Sequence, residues 1–267
     1  MLTVGVDLAA AAKGTAVALV DWDAGQATVT GVHCPAGDDV ILDAMAKADK
    51  VGIDSPLGWP DDFVAFVLGH QRGRVTVPPG YPADGWKRRL TLRLTDHVVK
   101  AETGLTPLSV SADLIGHVAL RCACLLAEAG RRGQDVSRAG DGVVIEAYPA
   151  ASLRAWGLTH KRYKNRASGQ VLDDLVDGLM RDAPWLHLGA AESTCRKSHD
   201  AFDAVIAALT ARAAARGLTR RPQTEAEAAA ASTEGWVAFP LPATSLADLI
   251  QTPIAGAGGA RLRTRSR

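Results

Sequence analysis

Two aspartates lie one helical turn apart at the start of the segment HDAFDAVIAALTA, residues 199–211. An α-helix repeats every ~3.6 residues, so Asp200 and Asp203 fall on adjoining parts of one helix face. An acid in the first turn complements the helix dipole, and Ser198 is a suitable N-cap, which accounts for Asp200. Stabilisation of the helix start accounts less well for Asp203, because an unpaired carboxylate among buried residues is costly. The pattern leaves two interpretations open, a stabilised helix start and a functional acid pair.

Three further acids follow apolar runs that are typical of strands. Asp7 ends LTVGVD, Asp54 ends VGID and Glu146 ends VVIE. Open sheets place binding sites at the carboxyl ends of their strands, so these carboxylates can converge there. Mg²⁺ is a suitable positive partner, since it takes oxygen ligands and needs few protein carboxylates beside water and phosphate.

The elements that would position these acids begin with the order β-β-β-α-β. LTVGVDLA, TAVALVDWD and ATVTGVH indicate strands, a helix from about 39 to 48 follows, and KVGID is the fourth strand. Later segments predict a helix over SADLIGHVALRCACLLAEAGRR capped by Ser111, the strand GVVIEAYP, a helix opening at Pro149 and a helix over about 168–181. Past Arg216 the order weakens, although WVAFPLP favours an edge strand.

Length and composition predict one globular domain over 1–250, with an insertion at about 60–110 and a disordered Gly- and Arg-rich tail at 251–267. The 267 residues carry a net charge of +1, so any surface for nucleic acid must be local. The chain lacks both an apolar run of the ~20 residues that span a bilayer and a positively charged leader, which predicts a cytoplasmic protein without a membrane partner. The four cysteines form no C-x-x-C pair, and we interpret them as reduced and mostly buried rather than as a zinc site.

A local positive surface is predicted between His70 and Lys100. This segment contains seven basic residues and two acids. The basic residues are Arg72, Arg74, Lys87, Arg88, Arg89, Arg93 and Lys100, and the acids are Asp84 and Asp96. Tyr81 and Trp86 lie among them, a mixture that suits phosphate contacts with base stacking. The alternative is a solvated loop whose aromatic rings pack underneath it.

Six blocks in order along residues 5–240 resemble the family called domain of unknown function 429 (DUF429). These blocks are GVDLAA, GIDSPLG, RLTD, EAYP, HDAFDAVIAALTA and EGWVAFP. Members of that family are regarded as nucleases of RNase H-like fold, and the chain is more distantly similar to RuvC-type resolvases. The resemblance implies an α/β fold with a mixed five-stranded sheet flanked by helices and a basic insertion after the fourth strand.

The resemblance also implies a site in which carboxylates bind two Mg²⁺ or Mn²⁺ ions. Asp7 would bridge the ions, Asp54 would be the fourth-strand ligand, and the helix would supply Asp200 and Asp203, with Asp203 favoured as the direct ligand. Glu146 belongs to the family's EAYP block and would be a catalytic ligand or a supporting neighbour. Two ions roughly 3.5–4 Å apart activate water and stabilise the leaving oxygen of a phosphodiester, so no protein nucleophile is needed.

Several cations are candidates for contacting the nucleic acid or the transition-state charge. Arg93 lies beside Thr95 and Asp96, while the HKRYK run supplies Lys161 and Lys164; Arg88 belongs to the basic segment. Each could equally form an ordinary surface salt bridge. His199 could orient a ligand or carry a proton, although a histidine at a helix start usually does neither.

These features predict a divalent-metal-dependent nuclease that hydrolyses phosphodiester bonds of DNA or RNA. One alternative is a non-catalytic metal- or nucleic-acid-binding protein of the same fold. A less favoured one is an actin-like nucleotide-binding phosphotransferase, since the chain reads Asp7-Leu8-Ala9 rather than D-x-G and has no Walker motif. The sequence does not define an oligomeric state.

Overall fold

The sheet of the protein has seven strands in the computed structural model, which describes residues 1–83, 85–164 and 169–250. The strands are β1 (Leu2–Asp7), β2 (Ala16–Asp23), β3 (Gln26–His33), β4 (Lys50–Asp54), β5 (Val144–Ala147), β6 (Leu186–His187) and β7 (Val237–Ala238). Their order across the sheet is β6-β3-β2-β1-β4-β5-β7. The pairs β1–β2 and β2–β3 are antiparallel, and the other pairs are parallel.

The prediction of a mixed α/β sheet is confirmed, but the prediction of five strands is wrong. The two additional strands, β6 and β7, lie at the edges of the sheet and contain two residues each. The edge strand predicted in WVAFPLP is β7, whereas nothing in the sequence indicated β6. Two residues are too few for an alternating pattern, so backbone pairing alone defines such a strand.

The helices lie in the segments that connect the strands from β3 to β7. They are α1 (Asp38–Met45), α2 (Asp61–Gln71), α3 (Arg88–Thr91), α4 (Leu94–Thr103), α5 (Ile115–Arg131), α6 (Pro149–Ala155), α7 (Gly169–Asp182), α8 (Ala191–Lys197), α9 (His199–Ala215) and α10 (Glu225–Glu234), with a 3₁₀ turn at Leu246–Leu249. None of them is long and apolar enough to cross a bilayer, within the residues described. The predicted tail at 251–267 lies outside those residues.

Two local predictions about the helices are wrong. Ser111 does not cap α5, because that helix begins at Ile115 and the Ser111 hydroxyl donates a hydrogen bond to the carbonyl oxygen of Leu90, 2.7 Å away. Order does not weaken past Arg216, because α10, β7 and the 3₁₀ turn follow. Thr224 caps α10 by accepting a hydrogen bond from the amide of Glu227, which explains why an alanine-rich segment forms a helix there.

The helix α9 is buried on nearly every side, and Ser198 caps it as predicted. It packs on the face of the sheet opposite to α1 and α5. Gly5 and Gly52 are register partners in β1 and β4, and α9 lies directly over them. A Cβ atom on Gly5 would lie 1.9 Å from the carbonyl oxygen of Ala204, and one on Gly52 would lie 2.4 Å from that of Ala207. The two glycines therefore let the helix backbone approach the sheet.

Alternation along the strands decides which acids face α9. Successive strand residues point to opposite faces of a sheet, so Asp7 shares the face of Gly5 and Asp54 shares the face of Gly52. Val6 lies between Gly5 and Asp7, and Ile53 lies between Gly52 and Asp54. Both point to the opposite face, in the core layer with α1 and α5. The glycines thus seat α9 immediately beside the two strand-end acids.

The basic segment is more structured than a loop, because α3 lies within it and α4 begins there. Tyr81 is 58 % exposed, and its ring packs edge-on against that of Trp86 with 5.6 Å between centroids. Lys87 lies over the Trp86 ring. The two rings therefore pack on one another at the surface, while Asp84 lies outside the described residues.

All four cysteines are free thiols. Cys122 and Cys195 are buried, Cys34 is half-buried and Cys124 is exposed, so the expectation that most are buried holds for two of them.

Candidate metal centre

Three acids from distant parts of the chain meet at the carboxyl ends of β1 and β4. Asp7 and Asp54 are register partners at the ends of these parallel strands, and Asp203 reaches them from the first turns of α9. One carboxylate oxygen from each lies within 4.8 Å of those from the other two. A second set meets the same distance limit and consists of Asp7, Asp200 and His199. The chain therefore offers two adjoining positions for a cation, and Asp7 belongs to both.

The first position is mostly buried, with Asp54 half-buried. Asp203 has no exposed surface and Asp7 is 9 % exposed. Burial raises the pKa of Asp7 well above its usual value, and the nearby charges of Asp203 and Asp54 raise it further. Burial likewise raises the pKa of Asp54 to about 7, partly offset by Lys164. The carboxylates are therefore costly to ionise together, and a bound cation would relieve that cost.

Both oxygens of Asp203 already have partners. The Tyr163 hydroxyl donates a 2.9 Å hydrogen bond to Oδ1, and Nζ of Lys164 lies 2.6 Å from Oδ2. Burial lowers the pKa of Lys164, but the attraction of Asp203 and Asp54 outweighs it, so the ammonium is firmly charged. Burial raises the pKa of Asp203 despite this lysine.

The second position is more open to solvent. Nδ1 of His199 lies 2.8 Å from Oδ1 of Asp200, and the two side chains are 37 % and 24 % exposed. The hydrogen bond to Asp200 raises the pKa of His199. Burial opposes ionisation of Asp200, but the bond and charge of His199 prevail and lower its pKa. Two oxygens and an imidazole nitrogen are donors that bind divalent ions.

A cavity of about 420 Å³ opens beside the acids. Asp7, Asp54 and Lys164 form one end of its lining, and Arg93 with Glu146 form another part. Apolar side chains complete the wall, among them Leu108, Leu114, Ile115 and Val118. The acids thus border an accessible space and not a closed core.

Glu146 does not join the cation positions, although it was predicted beside them. It is the register partner of Ile53, so its side chain points to the sheet face opposite to Asp54. Arg93 donates two 2.7 Å hydrogen bonds to its carboxylate, one to each oxygen, and the amide of Leu57 donates a third. Arg93 is 2 % exposed and also pairs with Asp96 at 2.9 Å.

The remaining basic candidates differ in position. Lys164 lines the cavity, whereas Lys161 and Arg88 are exposed and lie outside its lining. Both can therefore reach only parts of a ligand that extend beyond the cavity.

Sequence reasoning missed Tyr163, the buried partner of Asp203. The alternation of Arg162, Tyr163 and Lys164 was a usable signal, because an aromatic residue inside a basic run is often packed against the core. The turn itself was not predictable, since Arg162 adopts φ 68°, which is uncommon for a residue other than glycine.

The chemistry of these side chains fits a hard divalent cation. Carboxylate oxygens predominate in both positions, and burial disfavours their charge until a cation is present. Asp7, Asp54, Asp200 and Asp203, with His199, are the residues that could hold it.

Fold and site together define a mixed α/β protein with an acidic, cation-receptive cavity at the carboxyl ends of parallel strands. The chain belongs to the DUF429 family, described as a protein of unknown function, whose profile matches residues 5–228. No curated protein and no solved structure gives a significant match.

Proposed function

We propose that this protein is a divalent-metal-dependent hydrolase of phosphodiester bonds in nucleic acid, built on an RNase H-like fold. The observation that carries the proposal is the convergence of Asp7, Asp54 and Asp203 beside an open cavity. The β-β-β-α-β opening and the adjacency of β1 and β4 support the proposed fold. A nuclease needs these parts, namely buried carboxylates, a neighbouring cation and space for a phosphate.

The residues of the site have distinct parts in this proposal. A bound divalent ion would activate the attacking water and stabilise the leaving oxygen. Asp7, which belongs to both cation positions, would hold that ion at the strand ends, together with Asp54 or with Asp200 and His199. Lys164 lines the cavity and presents its ammonium to a phosphate oxygen.

Nucleic acid is the proposed substrate because the chain carries exposed cations outside the cavity. Lys161, and Arg88 in the basic segment with its exposed Tyr81, could contact phosphates and bases beyond the cleaved bond. A non-catalytic binding protein would retain the acids but needs no accessible space beside them. The open cavity favours the enzyme.

Cleavage of a panel of DNA and RNA substrates with Mg²⁺ or Mn²⁺ tests the proposal. We expect cleavage by the unaltered protein and a loss of about 10²–10³-fold in Asp7→Asn and Asp54→Asn, typical of removing one charge-stabilising group. Asp39→Asn is a matched control, because Asp39 is exposed on α1, and it should cut normally. Equal cleavage by the site variants, or no cleavage of any substrate, would refute the proposal.

A further inference from the structure

The backbone turn before Lys164 fixes the position of the lysine side chain. Arg162 is the one residue other than glycine with a positive φ in the described part of the chain, and such conformations persist where the surroundings impose them. The turn places the Tyr163 ring in the core, where that residue is 3 % exposed. Lys164 then extends along the Tyr163 ring, with its ammonium 5.8 Å from the ring centroid.

Lys164 separates Asp203 from the cavity. Asp203 is fully buried and does not line the cavity, whereas Lys164 does. One oxygen of Asp203 accepts from Tyr163 and the other faces the ammonium at 2.6 Å. An ion entering the first position would have to displace both a charge and its ring contact.

The second position has no such occupant among the described residues. Asp200 and His199 are partly exposed, and Asp7, which completes the set, reaches the cavity. Nδ1 of His199 lies 2.8 Å from Oδ1 of Asp200, so the ligand atoms of this position already lie close together.

We propose that Lys164 occupies the first cation position, so that the protein binds a single divalent ion, at Asp7, Asp200 and His199. This inference rests on the proposed function and deepens it. One ion and one fixed ammonium replace the two ions expected from the sequence. Lys164 is then a built-in counter-charge for Asp203 and Asp54, and it faces the same cavity as the ion.

Counting bound ions tests the inference without measuring cleavage. Mn²⁺ titrations that are monitored by calorimetry and by electron paramagnetic resonance should give one bound ion per unaltered chain. Lys164→Met keeps an unbranched side chain one atom shorter and removes its charge, so it should bind two ions and show the spin coupling of a Mn²⁺ pair. Lys161→Met, an exposed lysine of the same segment, should still bind one. His199→Ala should weaken the single site of the unaltered chain at least tenfold.

The outcomes separate this inference from the proposed function. Two ions in the unaltered chain, or one in a folded Lys164→Met, would overturn the inference and leave the proposed function standing. No ion in the unaltered chain would overturn both. If Lys164→Met does not fold, Lys164→Gln replaces it, and the count for the unaltered chain still decides.

Discussion

Two groups of buried charges lie at the same end of the sheet, one on each of its faces. On the face away from α9, Arg93 lies between Glu146 and Asp96, and its five N–H donors reach five acceptors, the fifth contact being the carbonyl oxygen of Glu234. On the α9 face, Asp7, Asp54 and Asp203 crowd around one lysine.

The difference between these groups is one of balance. Every donor of Arg93 is satisfied by charged or carbonyl oxygens, so that group needs nothing from solvent. The acid group has three carboxylates around one lysine, and burial, reinforced by the charges of neighbouring carboxylates, raises the pKa of Asp7 and Asp54. We interpret the first group as structural and the second, through Asp7, as part of the receptor for a cation.

The largest expected effect is on the balanced group. Arg93→Met would leave Glu146 and Asp96 buried without their cation, which typically costs about 3–5 kcal/mol. We expect the free energy of unfolding, measured with denaturant, to fall by that amount, with no rescue by Mg²⁺. A stable variant that only loses cleavage would instead assign Arg93 to the reaction.

The next effect concerns the contact between α9 and the sheet. Gly5→Ala would place a methyl group against the backbone of Ala204 and Ala208, and such overpacking costs about 1–3 kcal/mol. Displacement of α9 would also move His199 and Asp200 away from Asp7. We expect a lower melting temperature together with weaker Mn²⁺ binding. Gly31→Ala is the control, because its added Cβ would meet nothing closer than 3.8 Å.

In the acid group we expect a substitution to change the stability in the opposite direction, by raising it. The folded protein keeps a proton on Asp54 up to about pH 7, while the unfolded chain releases it near its usual pKa of 3.8. Raising the pH through this window therefore favours unfolding of the metal-free protein, as linkage requires. Asp54→Asn cannot ionise, and we expect it to be more stable than the unaltered chain at pH 8, by no more than about 1.4 kcal/mol for each pKa unit between the folded and unfolded carboxyl.

Thermal unfolding in a chelating buffer from pH 4 to pH 8 measures this difference. The two proteins should melt alike at pH 4 and diverge as the pH rises. Saturating Mg²⁺ should stabilise the unaltered protein at pH 8 more than Asp54→Asn. A pH-independent difference between the curves would mean that Asp54 does not titrate in this window.

The smallest effect should come from outside both groups. Arg88 is exposed, so Arg88→Ala should leave folding unchanged and weaken nucleic-acid binding by less than tenfold. If Arg88 contacts one phosphate, the slope of log affinity against log salt should decrease by about one. An unchanged slope in filter-binding titrations would remove the basic segment from the binding surface.

Much of the acid group could be predicted from the sequence because its signals are local. The strands before Asp7 and Asp54 are short apolar runs, and the helix holding Asp203 has a clear cap in Ser198. Parallel strands bring their carboxyl ends to one edge, which made the meeting of these residues predictable.

The balanced group was not predictable, because it depends on register. Glu146 also follows an apolar run, but it pairs with Ile53 and not with Asp54, and an offset of one residue turns a side chain to the other face. No local pattern reveals that offset. The partner role of Tyr163 depends in the same way on a turn whose backbone conformation composition does not specify.

The absence of side chains at Gly5 and Gly52 has a consequence for the dimensions of the acid group. Main-chain atoms meet main-chain atoms there, and such a contact has no rotatable bond that could loosen it. The distance between Asp203 and the strand ends is therefore set by van der Waals contact, which hardly varies with temperature. The spacing of the carboxylates is fixed before any ion binds.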